Sequence, residues 1–124
     1  MGAPGRKYVE KMIEGVGTLN LTGGLVVPKA NVTQSTSKST AVTANGVAGI
    51  ITMDDTALGG AAATAFTLNN TYIKADSVVI LTVHTYTQGS MVAADNIADG
   101  SCRIVLQNLS ASNITNYVIS YLVL

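Results

Sequence analysis

From Asn31 onward, short apolar segments rich in Val, Ile and Thr alternate with turns of Gly, Asn, Asp and Ser at intervals of roughly ten residues. No helical repeat interrupts this pattern. We predict eight strands, over residues 31–35, 40–44, 49–53, 64–69, 77–87, 91–97, 101–108 and 116–124. Because no helix separates them, the pattern predicts an all-β body over residues 31–124, arranged as an antiparallel, jelly-roll-like β-sandwich.

Two of the predicted strands carry apolar side chains on both faces. Between residues 78 and 86, one face has an apolar row at positions 79, 81 and 83, and the other face is apolar at 78 and 80 and amphipathic at His84 and Tyr86. The strand 116–124 behaves likewise. A sheet with one face in water would have polar residues on that face, so we predict that these strands meet another copy of the chain. The predicted subunit interface comprises Val78, Ile80, His84, Tyr86, Tyr117 and Tyr121.

The first thirty residues differ from the body, because they hold four of the basic residues and both glutamates. Spacings of one, three and four between apolar positions predict a short helix here, which would be too short to be stable alone. An apolar stretch follows and ends at Pro28. We therefore predict that residues 1–30 form an arm that packs on the body, on a neighbouring copy or on a larger scaffold. Its contact residues would be Tyr8, Val9, Met12, Ile13, Leu25 and Val27.

Composition limits the classes of function. The chain has 124 residues, which is the size of one domain, and it is 48% hydrophobic and only 11% charged, so it should fold. Its net charge is +0, so it offers no broad basic surface to nucleic acid. It contains no apolar run of about 18 residues that would span a membrane, and its start does not read as a signal peptide. We expect a product of a reducing cytoplasm that binds neither nucleic acid nor membrane.

Candidate chemistry is sparse. His84 is the single histidine and Cys102 the single cysteine, and the alternation around Cys102 predicts a buried, inert thiol. Asp54 and Asp55 fit a turn, while the pair Asp95 and Asp99 fits a solvated turn better than a calcium loop. We expect no enzymatic activity, no cofactor and no metal site. The segment 33–40 fits a linker and an edge strand equally well, and Lys38 would discourage pairing at such an edge.

Several short segments follow one another in a characteristic order. They are 33–43 (TQSTSKSTAVT), 49–53 (GIITM), Leu58, 66–70 (FTLNN), Ile73, 76–79 (DSVV), 100–106 (GSCRIVL) and 108–110 (NLS). Their order and spacing resemble a small β-rich family among the virion proteins of tailed bacteriophages. The resemblance leaves residues 1–32 outside it and transfers no catalytic residues. We expect the host cytoplasm as the place of synthesis of such a protein.

The resemblance implies a structural protein of the virion. We expect a capsid decoration, or cement, protein on the capsid surface, where the body forms a homotrimer and the arm contacts the major capsid protein. The alternative is a tail-fibre or head-fibre tip that binds a host surface glycan. With no Trp, one Phe and five Tyr, the chain has little aromatic material for a sugar platform.

Overall fold

The computed structural model describes residues 22–85 and 89–124. Within these ranges the chain is all-β and contains eight strands, one for each predicted strand. Tyr8, Val9, Met12, Ile13 and Tyr86 lie outside the described residues. The strands are β1 (Lys29–Thr33), β2 (Val42–Thr43), β3 (Ala48–Thr52), β4 (Ala63–Asn69), β5 (Val79–Val83), β6 (Ser90–Ala98), β7 (Ser101–Asn108) and β8 (Val118–Val123).

The strands form a sandwich of two four-stranded sheets. Sheet A has the order β1-β3-β8-β5, and sheet B has the order β2-β4-β7-β6. The predicted β-sandwich is confirmed, but its pairing is not wholly antiparallel, because β1 runs parallel to β3 and β2 runs parallel to β4. The chain visits sheet B between β1 and β3, and this crossover returns it to sheet A in its former direction.

The inner faces of the two sheets meet in one apolar core. Alternate residues of the strands point into it, among them Ile51, Phe66, Leu68, Ile104 and Ile119, which are all buried. This period of two is the property that allowed the strands to be predicted from the sequence.

Tyr117 and Tyr121 belong to this core, and this corrects their predicted place in a subunit interface. Both side chains are buried within the single chain, so they offer no surface to a partner. The Tyr117 hydroxyl forms a 2.8 Å hydrogen bond with Ser90 Oγ, and the Tyr121 hydroxyl donates to the Ala44 carbonyl at 3.2 Å. On β8 the inward face is Ile119, Tyr121 and Val123, so the outward face is Val118, Ser120 and Leu122.

Buried amides hold the loops to the core. The Asn108 Nδ2 donates to the carbonyls of Leu58, Gly59 and Ser112, and the Asn70 Nδ2 donates to the Gly46 carbonyl at 2.8 Å. A buried amide must find such partners, because an unpaired one costs free energy.

The segment between β1 and β2 is neither a solvated linker nor an edge strand. Gln34 and Lys38 are buried in it. The Gln34 Nε2 donates to the carbonyls of Lys38 and Thr40 at 3.0 and 2.8 Å, and its Oε1 accepts from the Asp54 amide. The segment is therefore an ordered loop built around two buried polar side chains.

β1 begins and β8 ends at the same end of the sandwich, which we call the terminal end. β1 starts there at Lys29, beside Ala48 of β3, and Ala48 in turn pairs with Leu122 near the end of the chain. Because Lys29 and Ala30 already belong to β1, the body begins two residues earlier than the predicted boundary at residue 30.

Candidate interaction surface

The outer face of sheet A carries a cluster of large apolar side chains that the fold leaves uncovered. Val78, Ile80 and Leu124 are between 46% and 69% exposed. Leu122, Val118 and Ile50 are half-buried on the same face. We call these six residues the apolar face. Contiguous exposed apolar patches of this kind mark interaction sites.

Strand register brings these residues together. Ile80 of β5 lies opposite Leu122 of β8, which lies opposite Ala48 of β3. One row further toward the terminal end, the backbones of Val78 and Leu124 exchange hydrogen bonds of 3.0 and 2.9 Å. Directly opposed residues have Cβ atoms about 4.5–5.5 Å apart, so the four apolar side chains Val78, Ile80, Leu122 and Leu124 form one cluster.

The outer face of sheet B is different in character. Arg103 of β7 pairs with Asp95 of β6 through hydrogen bonds of 2.7 and 2.6 Å, and Thr67 and Gln107 are exposed nearby. The hydrogen bond from Arg103 is the main reason that the pKa of Asp95 lies below its ordinary value. This face therefore exposes charged and polar groups, and Met91 is its large exposed apolar side chain among the described residues.

His84 stands at the far end of the apolar face. Its Nδ1 and the Ser120 hydroxyl are 3.0 Å apart, in a pair that the sequence spacing of 36 residues does not reveal. A Ser–His pair performs nucleophilic catalysis only with a third group that orients the imidazole and with an oxyanion site. No hydrogen bond from His84 to a carboxylate occurs among residues 22–85 and 89–124, and the pair lies on an open sheet surface.

A shallow groove crosses the part of sheet A nearest to β1. Its volume is about 350 Å³, and its lining includes Lys29, Ala48, Ile50 and Ser120. Ala48 and Ser120 are small, whereas their neighbours Ile50 and Leu122 on the outer face are larger, and this difference in size creates the depression. The groove is continuous with the apolar face through Ile50 and Leu122.

A second uncovered apolar feature precedes β1. Leu25 is 72% exposed and Val26 is 93% exposed, while Val27 is half-buried. The Pro28 carbonyl accepts hydrogen bonds from the amides of Val47 and Ala48, so the chain is fixed to the body only from Pro28 onward. Residues 22–27 precede it without a backbone hydrogen bond to the described residues of the body.

The predicted contact residues are thus brought together in part. Val78, Ile80 and His84 lie on the outer face of sheet A and are exposed, as a subunit interface requires. Tyr117 and Tyr121 point the other way. The prediction of Tyr117 and Tyr121 as interface residues was therefore wrong. The face of β8 that points outward carries Val118, Ser120 and Leu122, and Leu124 continues it.

Other candidate groups have structural partners. Cys102 is buried, as predicted, and burial raises the pKa of its thiol. Asp54 accepts hydrogen bonds from Thr56, which lower its pKa, and Asp99 accepts one from the Ala75 amide at 2.9 Å. In the described part of the chain, no three His, Cys, Asp or Glu residues gather as metal ligands would. No helix there is long and apolar enough to cross a membrane.

Comparisons with protein-family models, with curated proteins and with solved structures found no match to this chain.

Proposed function

We propose that this protein is a structural component of a bacteriophage virion, and specifically a capsid decoration protein that self-associates on the shell and stabilises it. The observation that carries the proposal is the contrast between the two outer faces of the sandwich. Sheet B presents the Arg103–Asp95 pair and hydroxyl and amide groups to water, whereas sheet A presents the apolar face. A sandwich with one such face is suited to contact with other subunits.

The arm supplies attachment in this proposal. Leu25 and Val26 are too exposed to stabilise the body, so their apolar surface serves contact with another molecule. Tyr8, Val9, Met12 and Ile13 precede them and remain the predicted contacts with the major capsid protein.

The chemistry of the chain and its resemblance to virion proteins both favour a structural role over an enzymatic one. The candidate groups Cys102, Asp54, Asp95 and Asp99 are buried or form local hydrogen bonds, and within the described residues His84 pairs with Ser120 and with no carboxylate. Self-association as a homotrimer follows the same resemblance and is proposed on that basis.

Binding of the purified chain to undecorated shells tests the proposal. The full chain should bind shells and raise the temperature at which they rupture. A chain without residues 1–21 should fold, as circular dichroism would show, yet fail to bind. If the shortened chain occupies shells as fully as the full chain does, the role of the first part of the arm is wrong. If the full chain does not bind at all, the decoration function is wrong.

A further inference from the structure

We propose that Leu25–Val27 of one copy lie on the outer face of sheet A of a second copy, in the groove beside Ala48 and Ser120 and against Leu122. This inference deepens the proposed function, on which it rests, by naming the two surfaces through which copies associate. It assigns Leu25 and Val27 to the contact between copies and leaves the shell contact to residues 1–21.

The two surfaces match in chemistry. Leu25 and Val26 present apolar side chains to water without any described neighbour to cover them. The groove has Ala48 and Ile50 in its lining beside the polar Lys29, Asn31 and Ser120, and on its apolar side it adjoins Leu122 and Ile80. Its volume of about 350 Å³ is within the range of about 300–1,000 Å³ that ligand pockets have. Joining the two would remove apolar surface from water on both sides.

Leu25–Val27 do not lie in the groove of their own chain, because none of these three residues lines it. Val27 precedes Pro28, and a residue before proline is held in extended conformations. Pro28 has a fixed φ and is bound to β3 through its carbonyl, and β1 begins at the next residue. The chain has no turn from Gly24 to Pro28, so Leu25–Val27 continue beyond the start of β1. Their exposed side chains contact a second copy in this proposal.

The direction of the chain also leaves room for the rest of the arm. Twenty-one residues precede Thr22, the first described residue, and Gly24 has a φ of +91°, which permits a turn just before Leu25. The first part of the arm can thus diverge toward a shell while Leu25–Val27 remain against the neighbouring copy.

The contact is head-to-tail, because the surface that is given and the surface that is received are different. Head-to-tail contacts close into rings when the rotation between copies permits it. A ring is consistent with the proposed homotrimer, and in it each copy donates one arm and receives one.

A complementation experiment tests this arrangement with the full chain. One variant, Leu25→Asp/Val26→Asp, has a defective arm and an intact groove. The other, Ala48→Arg, has an intact arm and a groove filled by a charged side chain. Thr22→Asp and Thr52→Arg are matched controls, since Thr22 precedes the apolar segment and Thr52 is exposed on the same strand and face as Ala48. Circular dichroism verifies that each variant is folded.

Masses in solution are read by sedimentation velocity at about 50 µM. The wild-type chain and both controls should form the same oligomer, and each variant alone should be monomeric. An equimolar mixture of the two variants should form dimers and nothing larger, because one intact arm meets one intact groove in each pair. A monomeric wild-type chain, an arm variant of wild-type mass, or a mixture that stays monomeric would overturn the inference. Shell binding is measured separately, so failure here leaves the decoration function to its own test.

Discussion

The Lys38 ammonium donates a 2.7 Å hydrogen bond to the carbonyl oxygen of Thr115, which lies 77 positions further along the chain. It also donates to the Asp54 carbonyl and lies 5.7 Å from the centre of the Tyr117 ring. One buried side chain thus ties the loop after β1 to the loop after β3 and to the segment that leads into β8.

We predict that Lys38→Met destabilises the protein by about 1–3 kcal/mol, because two partly buried hydrogen bonds to carbonyl oxygens would lose their donor. Methionine keeps the apolar stem, so the loss reports the ammonium group. Chemical denaturation of the wild type and the variant measures the difference. Lys74→Met is the control, since Lys74 is exposed, and it should change the free energy of unfolding little. Equal effects of the two substitutions would contradict the role of Lys38.

The Lys38 ammonium group should also make the free energy of unfolding depend on pH. Burial lowers the pKa of Lys38 from its ordinary value of 10.5, although Asp54 and Asp55 act in the opposite direction. The folded state therefore holds this proton less tightly than the unfolded state does. As the pH rises from the lowered pKa toward 10.5, stability from this group should increase. The free energy of unfolding of the wild type minus that of Lys38→Met should be larger at pH 10 than at pH 7, and a smaller difference at pH 10 would refute the burial argument.

Asn108 gives a sharper test of the buried amides. Its Nδ2 faces the carbonyl oxygens of Leu58, Gly59 and Ser112 at 3.0, 3.1 and 2.8 Å. In Asn108→Asp, a carboxylate oxygen would face these three acceptors, and we expect a loss of about 3 kcal/mol or more. Asn69→Asp makes the same chemical change on an exposed side chain and should be mild. Thermal unfolding at pH 7 measures both, and a stable Asn108→Asp variant would disprove the assigned amide orientation.

Gly49 allows the close approach of β1 to β3. A Cβ at this position would overlap the Ala30 carbonyl oxygen and lie 2.8 Å from Tyr121 Cε1. Gly49→Ala should therefore cost about 1–3 kcal/mol or displace β1 from sheet A. Gly23→Ala is the control, because nothing lies within 4 Å of its added Cβ. Hydrogen exchange at the amides of β1 would show the displacement, and unchanged protection together with unchanged stability would contradict it.

The strands could be predicted from the sequence because a residue spacing of two is a local property. Each of the eight predicted segments overlaps a strand of the structure. The parallel pairs β1–β3 and β2–β4 could not be predicted, since they depend on which sheet the chain visits next. The inward face of β8 was also ambiguous, because Tyr121 and Leu122 are both apolar enough to be core residues.

The burial and the partners of the polar side chains could not be predicted, for a different reason. A buried lysine or amide depends on carbonyl oxygens that come from distant parts of the chain, such as Thr115 for Lys38. From the sequence, Lys38 was predicted to be an exposed charge at a strand edge. The His84–Ser120 pair is equally invisible in the sequence, because the two residues meet only across the β5–β8 pairing.

A reconstruction of the phage particle that we propose contains this protein would give both the number of copies and the surface that each copy covers. We predict copies in the hundreds on the capsid surface, with Val78, Ile80 and Leu122 of each copy enclosed by its neighbours. A handful of copies at the tail or at a fibre tip, or shell-bound copies whose outer face of sheet A is open to solvent, would contradict it.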